Sequence, residues 1–311
     1  MGVNRNKVLG DNVRVAFARL SLHWGFSIRF FEATAAQLAL SLVPPTTVVG
    51  AFTAPFFKLL GLRDVTKRRA RGKSQTLSPL FDCALGATLA ATMGLPPQET
   101  TDSTHGVGIC THQEPSRIIS APYRAGGSWE KALKATFGSL EFYGELLTQA
   151  LPVQAVGVAY GPSVLVDLIW VFDVSKIASC LGVDAGKVDF IGKIAVYGVS
   201  RIGSKEGVVS VEDAKYLVKG FRIAGIGDTI RSYTYVPVEC VEKIRGEVDR
   251  VTLWDLRYET REYYVPSPSS NTIAIAIPKG RIPEYRITGE NCKAYIIDVE
   301  EGVEGVAVGV S

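Results

Sequence analysis

Residues 153–181 read VQAVGVAYGPSVLVDLIWVFDVSKIASCL. Two apolar, β-branched runs, VQAVGVAY (153–160) and VLVDLIWVFD (164–173), meet at the turn triplet Gly161-Pro162-Ser163, which predicts a hairpin. Helical character follows from Val174 to Leu181, and Asp184 is placed to cap a further helical stretch to about Lys193. Residues 197–212, YGVSRIGSKEGVVSVE, then return to a strand. Strand, strand, helix, strand makes the last four elements of a β-α-β-β-α-β plan.

The first elements are found upstream. Residues 12–22, NVRVAFARLSL, alternate Val13, Val15, Phe17 and Leu20 against Arg14, Ala16 and Arg19, as a strand with one face toward a core does. HWGFSIR (23–29) and a loop around Ala33 to Gln37 come next. Pro44-Pro45 ends the extended segment, and residues 47–60 form an apolar helix that Pro55 should kink or divide and Gly61 closes. A second helix, 79–94, begins at Ser78-Pro79, where serine caps and proline fits the first turn. Between the helices KRRARGK (67–73) puts five cations into seven positions, an exposed connection.

From Pro96 to Gly127 the chain turns to Pro, Gly, Thr and Ser with extended pieces at 106–111 and 117–123, which reads as an inserted hairpin, and residues 129–149 are intermittently helical. After Gly220 short β-rich runs at 232–239, 250–258, 272–277 and 293–299 are separated by turn residues and the surface loop PSPSSN (266–271). The expected fold is therefore α+β. A ferredoxin-like domain covers residues 1–220 with an insertion at about 96–127, and a C-terminal antiparallel β region, residues 221–311, packs on it.

Composition bounds the function. A chain of 311 residues with 47% hydrophobic residues has ample core. Its 34 basic and 31 acidic side chains leave only +3, so any nucleic-acid contact has to come from local clusters. MGVNRNKVLG lacks the apolar core of a secretory signal. Of the most apolar windows, 83–95 is too short to span a bilayer and 164–172 carries Asp167, so a cytoplasmic protein with no membrane partner is expected. Cys83, Cys110, Cys180, Cys240 and Cys292 have no CxxC spacing, which argues against zinc and for buried thiols, with a disulfide fitting a hyperthermophilic source.

His23, His105 and His112 are the only histidines, none near a cysteine or carboxylate at ligand spacing, and no Gly-x-Ser-x-Gly, P-loop or His-Glu-x-x-His is present. No metal or cofactor is expected. Metal-free RNA cleavage asks for a base, an acid and a cation, for which His23, Lys205 and Tyr123 or Tyr197 are the candidates. The competing reading makes His23 and Trp24 amphipathic residues at a strand end.

For nucleic-acid contact, Arg29, Arg201 and Lys205 stand beside glycines that admit a close backbone. Trp24 and Phe26 either stack on bases, as sheet aromatics do in RNA-recognition modules, or pack in the core. Lys67, Arg68, Arg69 and Arg71 are phosphate contacts or an ordinary solvated charge run.

In HWGFSIR, LVPPTTVVGAF (42–52) and SRIGSKEGVVSV (200–211) the chain resembles CRISPR-associated RAMP proteins of the Cas-five family, in particular the archaeal type I-A form, a Cascade subunit. The resemblance covers about the first two-thirds of the chain. It implies an RRM-like, ferredoxin-like domain with a protruding hairpin thumb, for which 96–127 is the candidate. It further implies a subunit that caps one end of the complex, holds the 5′ repeat-derived handle of the CRISPR RNA, and touches the Cas-seven backbone subunit and the large subunit. On it, His23, Trp24, Arg29, Arg201, Gly203, Ser204 and Lys205 face RNA. A type I-C branch of the family is itself a repeat-cleaving endoribonuclease, whereas type I-A relies on a separate Cas-six enzyme. The absence here of a clear Tyr, Lys and His constellation favours the non-catalytic branch.

Overall fold

The computed structural model describes residues 11–28, 39–62, 66–70, 73–99, 108–118, 153–203, 207–266 and 273–310. The elements begin with β1 (Val13–Leu22), β2 (Gly25–Phe26), α1 (Pro45–Leu59), β3 (Thr66–Ala70), β4 (Lys73–Leu77), α2 (Pro79–Ala87) and β5 (Thr88–Gly94). They continue with β6 (Gly108–Ile118), β7 (Val153–Tyr160), β8 (Leu165–Asp173), α3 (Val174–Leu181), α4 (Ala185–Ala195) and β9 (Val209–Leu217). The C-terminal part is strands with two short 3₁₀ turns, Val238–Cys240 and Lys279–Arg281: β10 (Phe221–Ala224), β11 (Thr229–Arg231), β12 (Val236–Pro237), β13 (Val241–Arg245), β14 (Val248–Trp254), β15 (Thr260–Pro266), β16 (Ile273–Ile275), β17 (Glu284–Ile287), β18 (Cys292–Glu300) and β19 (Val303–Val310). The protein is α+β, and its sheets pair antiparallel.

The central sheet runs β5-β8-β1-β9. β1 lies between β8, in register Val13↔Asp173 to Ser21↔Leu165, and β9, in register Val15↔Leu217 to Leu22↔Val209. α1 and α2 connect β1 to β5, and α3 and α4 connect β8 to β9. Asp173 caps α3 through Ser175 and Lys176 backbone N–H groups, and Asp184 caps α4 through those of Gly186 and Lys187.

Several sequence expectations change here. Residues 88–94 are a strand rather than the end of a helix: α2 stops at Ala87, the Trp170 indole donates to Thr88 Oγ1 at 2.9 Å, and TLAATMG forms the buried edge beside β8. A short apolar run fits a buried strand or a helix equally by periodicity. Residues 153–160 do not pair with 164–173. With β5 beside β8, β7 pairs instead with β6 and β2 in a second sheet ordered β16-β6-β7-β2. Its partner is one continuous strand, 108–118, in place of the two extended pieces expected at 106–111 and 117–123. Finally, KRRARGK is no bare connection: β3 and β4 pair as a hairpin, Thr66↔Leu77 to Ala70↔Lys73, joined to no other strand among the described residues. Pro55 sits inside α1 without dividing it.

The central sheet is covered on both faces. On one, Ala16, Ala18, Leu20 and Leu22 of β1 meet Val48, Val49, Phe52 and Phe56 of α1 and Ile177 of α3. On the other, Val13, Val15, Phe17, Ile169 and Val171 meet Tyr295, Ile297, Val299 and Ala307 of β18 and β19. Burying each such large side chain is worth about 1.5–3 kcal/mol, so neither face is an incidental contact. β19 lies so close that a Cβ on Gly309 would fall 1.8 Å from the Leu89 carbonyl oxygen, and one on Gly305 2.9 Å from Ile169 Cδ1.

The two arginines of β1, expected on a solvent face, are both largely buried because each side of the strand meets a layer. Arg14 makes two bonds to Asp189 of α4, at 2.8 and 3.0 Å, and Tyr216 donates to the same carboxylate at 2.7 Å. Arg19 binds both oxygens of Asp167 at 2.8 and 2.9 Å and Glu300 at 2.9 Å. The cysteines also depart from expectation: Cys83 of α2 is bonded to Cys180 of α3, and Cys240 to Cys292, while Cys110 is an exposed free thiol. Closing loops of 97 and 52 residues contributes about 2–4 kcal/mol each. Among the described residues no helix is long and apolar enough to cross a membrane, and no cluster of three His, Cys, Asp or Glu could hold a metal.

Candidate nucleic-acid interface

At the end of β1 the chain leaves the central sheet and enters the second one within four residues. The Ser163 and Gly161 N–H groups donate to the Leu22 and Trp24 carbonyls at 2.8 and 2.9 Å, and Gly25 and Phe26 pair with Tyr160 and Ala159. Gly25 has φ +149°, and a Cβ there would lie 1.9 Å from the Ala159 carbonyl oxygen, so only glycine allows this crossing. Phe26 has no exposed surface and belongs to the main core, which removes it as a base-stacking residue. Trp24 is half-buried, its ring tilted at 57° to Tyr160 with centroids 5.7 Å apart.

The second stretch arrives after α4 through a short 3₁₀ turn, Val196–Gly198, so the strand expected from 197 begins only at Val209. Residues 200–203 and 207–209 pair with each other. The Ile202 N–H donates to the Gly207 carbonyl at 2.8 Å, the Val209 N–H to the Ser200 carbonyl at 3.1 Å, and Arg201 bridges Val208. Gly203 takes φ +67°, a left-handed conformation, and a Cβ on Gly207 would meet the Ile202 carbonyl oxygen at 2.1 Å.

The two stretches, far apart in sequence, adjoin in space. The His23 N–H donates to the Val208 carbonyl at 3.3 Å, and His23 Nε2 lies 2.7 Å from Ser210 Oγ. Positions 203 and 207 rest on the first stretch, where added Cβ atoms would meet Ile28 Cγ1 at 2.7 Å and Phe26 Cβ at 3.2 Å. His23, Trp24, Arg201 and Gly203 are thereby gathered at one end of the central sheet. Arg29, Arg71, Ser204 and Lys205 lie outside the described residues. Lys67, Arg68 and Arg69 are on β3 of the separate hairpin.

A groove of about 600 Å³ opens between this loop and α1, with Arg201, Ser200 and Gly203 on one wall and Thr47, Ala54 and Lys58 on the other. Lys58 was not singled out from the sequence. Its signal is that it is the one cation in the apolar helix PTTVVGAFTAPFFKL, placed in the last turn where the helix dipole favours it. Arg201 and Lys58 are exposed, and neither pairs with a carboxylate among the described residues. Two such cations over glycines and hydroxyls suit a phosphate chain.

Catalytic geometry is weaker. The His23 ring meets a serine hydroxyl, and the Tyr197 hydroxyl donates to the Ala214 carbonyl at 3.0 Å. Tyr123 and Lys205, the other residues considered for cleavage, lie outside the described residues.

No protein-family profile matches the chain, and no curated protein matches it. Among solved structures, a CRISPR protein from Archaeoglobus fulgidus resembles it with a TM-score of 0.50 at 15% identity, over 96% of this chain and 100% of that one. At that identity the likeness is one of fold. A chain of the type III-B Cmr-beta complex, bound to cognate target RNA and AMPPnP, gives a TM-score of 0.28 at 11% identity, over 84% of this chain and 85% of that one, too slight to bear on function.

Proposed function

We propose that this chain is a non-catalytic, CRISPR RNA-binding subunit of a cytoplasmic type I-A Cascade complex. In this reading it holds the 5′ repeat-derived handle, caps the backbone, and contacts the Cas-seven and large subunits. The observation that carries the reading is the meeting of residues 23–28 with residues 200–210 beside a groove bearing Arg201 and Lys58.

The strand order β5-β8-β1-β9, with helices in both crossovers, agrees with a ferredoxin-like plan. An RNA-recognition module on that plan uses the sheet face opposite its helices. Here β18 and β19 occupy that face, so RNA is assigned to the end of the sheet and to the basic β3–β4 hairpin. The fold likeness to a CRISPR protein and the resemblance of the three motif stretches support a CRISPR-associated role.

Binding of a labelled repeat-derived RNA to the purified chain, measured at several salt concentrations in EDTA, tests this. Arg201→Ala should weaken binding and reduce the slope of log affinity against log salt by about 0.7, the value for one lost single-strand phosphate contact. An unchanged slope removes the loop from the site. Specific cleavage of the RNA, abolished by His23→Ala, would instead make the protein a metal-independent endoribonuclease.

A further inference from the structure

The groove beside Arg201 has a neighbour across α1. Between α1 and the start of α2 lies a second cleft of about 630 Å³, walled by Phe57, Leu62 and Phe81, with Ser78 and Lys58 also on its lining. Gly50, Ala54 and Lys58 line both openings, so the two meet over one stretch of helix surface. Leu62 and Ser78 also flank the β3–β4 hairpin in sequence, so this cleft opens at the root of the segment that carries Lys67, Arg68, Arg69 and Lys73.

These surroundings select a ligand by chemistry. The walls are aromatic and aliphatic, and two exposed cations stand beside them, Lys58 at the mouth and Arg201 in the adjoining groove. An apolar side chain from a partner protein would satisfy the walls and leave the cations unused. A nucleotide, with a flat apolar face and an anionic phosphate, uses both. The volume lies within the range of about 300–1,000 Å³ typical of small-ligand sites.

We propose that this cleft seats one unpaired base of a bound RNA strand, stacked on Phe81, with Lys58 on its phosphate and Arg201 on the next phosphate along. The proposal rests on the RNA-binding reading above and adds to it a site that holds a base. It also gives the strand a path, from the 200–207 loop over α1 to the basic hairpin.

The test fills the cleft without touching its charge. A Cβ on Gly50 first meets Phe81 Cε2 at 3.7 Å, an ordinary contact, so Gly50→Leu enters the cleft without disturbing the backbone. Gly50→Leu should lower the affinity for a short single-stranded RNA about tenfold, the loss of one stacked base, with its salt slope unchanged. Lys58→Gln should lower the slope by about 0.7. Ala54→Trp serves as a second filled variant, thermal melting checks that both fold, and wild-type protein photocrosslinked to 4-thiouridine RNA should yield the peptide containing Phe81. If the wild type binds RNA but both folded, filled variants bind equally well, or the crosslink falls elsewhere, the base site is wrong and the RNA-binding reading stands. Wild-type protein that binds no RNA removes both. A nucleoside monophosphate that occupies the cleft at micromolar concentration without displacing RNA would also contradict the proposal.

Discussion

Asp167 is a carboxylate without exposed surface, and it is held by groups from two other segments: the Arg19 guanidinium on both oxygens and the Tyr233 hydroxyl at 2.7 Å. Burial pushes the Tyr233 phenol up, so it remains a donor throughout the physiological range. Arg19 reaches on to Glu300, which also takes Lys279 at 3.2 Å. Burial alone would raise the Glu300 carboxyl, but hydrogen bonds from Arg19 and Lys279 outweigh it and hold the group below the ordinary carboxylate range. A lowered value stabilises the fold above the ordinary carboxylate value, and that stability is lost as pH falls through the folded value. Melting temperature between pH 6 and pH 3 should therefore fall more steeply in the wild type than in Glu300→Gln; equal slopes would show that the pair contributes nothing. None of this could be read from β1 itself. Alternation marks Arg14 and Arg19 as polar positions, and only partners 148 and 281 residues away hold Arg19 in its buried site.

At the scale of elements, what could be read was whatever carried its own caps and turns. Asp184 announced α4, and Ser78-Pro79 the start of α2. The strand 88–94 could not be separated from the helix before it, because TLAATMG has no punctuation and its stability comes from β8. The basic run hid a hairpin because its paired half, KSQTL, is polar and lacks the alternation that marks a half-buried strand. VEGVAVGV holds a subtler signal: Gly305 and Gly309 are four apart and so share one face of β19, the face laid on the central sheet. Gly309→Val should cost about 2–3 kcal/mol and lower the melting temperature by several degrees, whereas Gly280→Ala, with open space around it, should not. A Gly309→Val protein that melts with the wild type would mean that β19 does not press on the sheet.

On the proposed RNA-binding reading, the packing of the whole molecule restricts where the strand can lie. The C-terminal strands close the sheet face that an RNA-recognition module would use, so among the described residues the proposal places RNA at the sheet end where residues 23–28 meet 200–203 and 207–210, together with α1 and the β3–β4 hairpin. The motifs flagged both stretches because glycine beside arginine is a local property. They gave no sign of the covered face, which depends on packing across the full length of the chain, nor of Lys58, which joins the site only through α1. Hydrogen exchange of the full chain with and without repeat-derived RNA tests the placement most directly. The account predicts slowed exchange in residues 22–28, 58–77 and 198–210 and no change in 292–310. Protection centred on 292–310, or on none of these segments while RNA is bound, would contradict it.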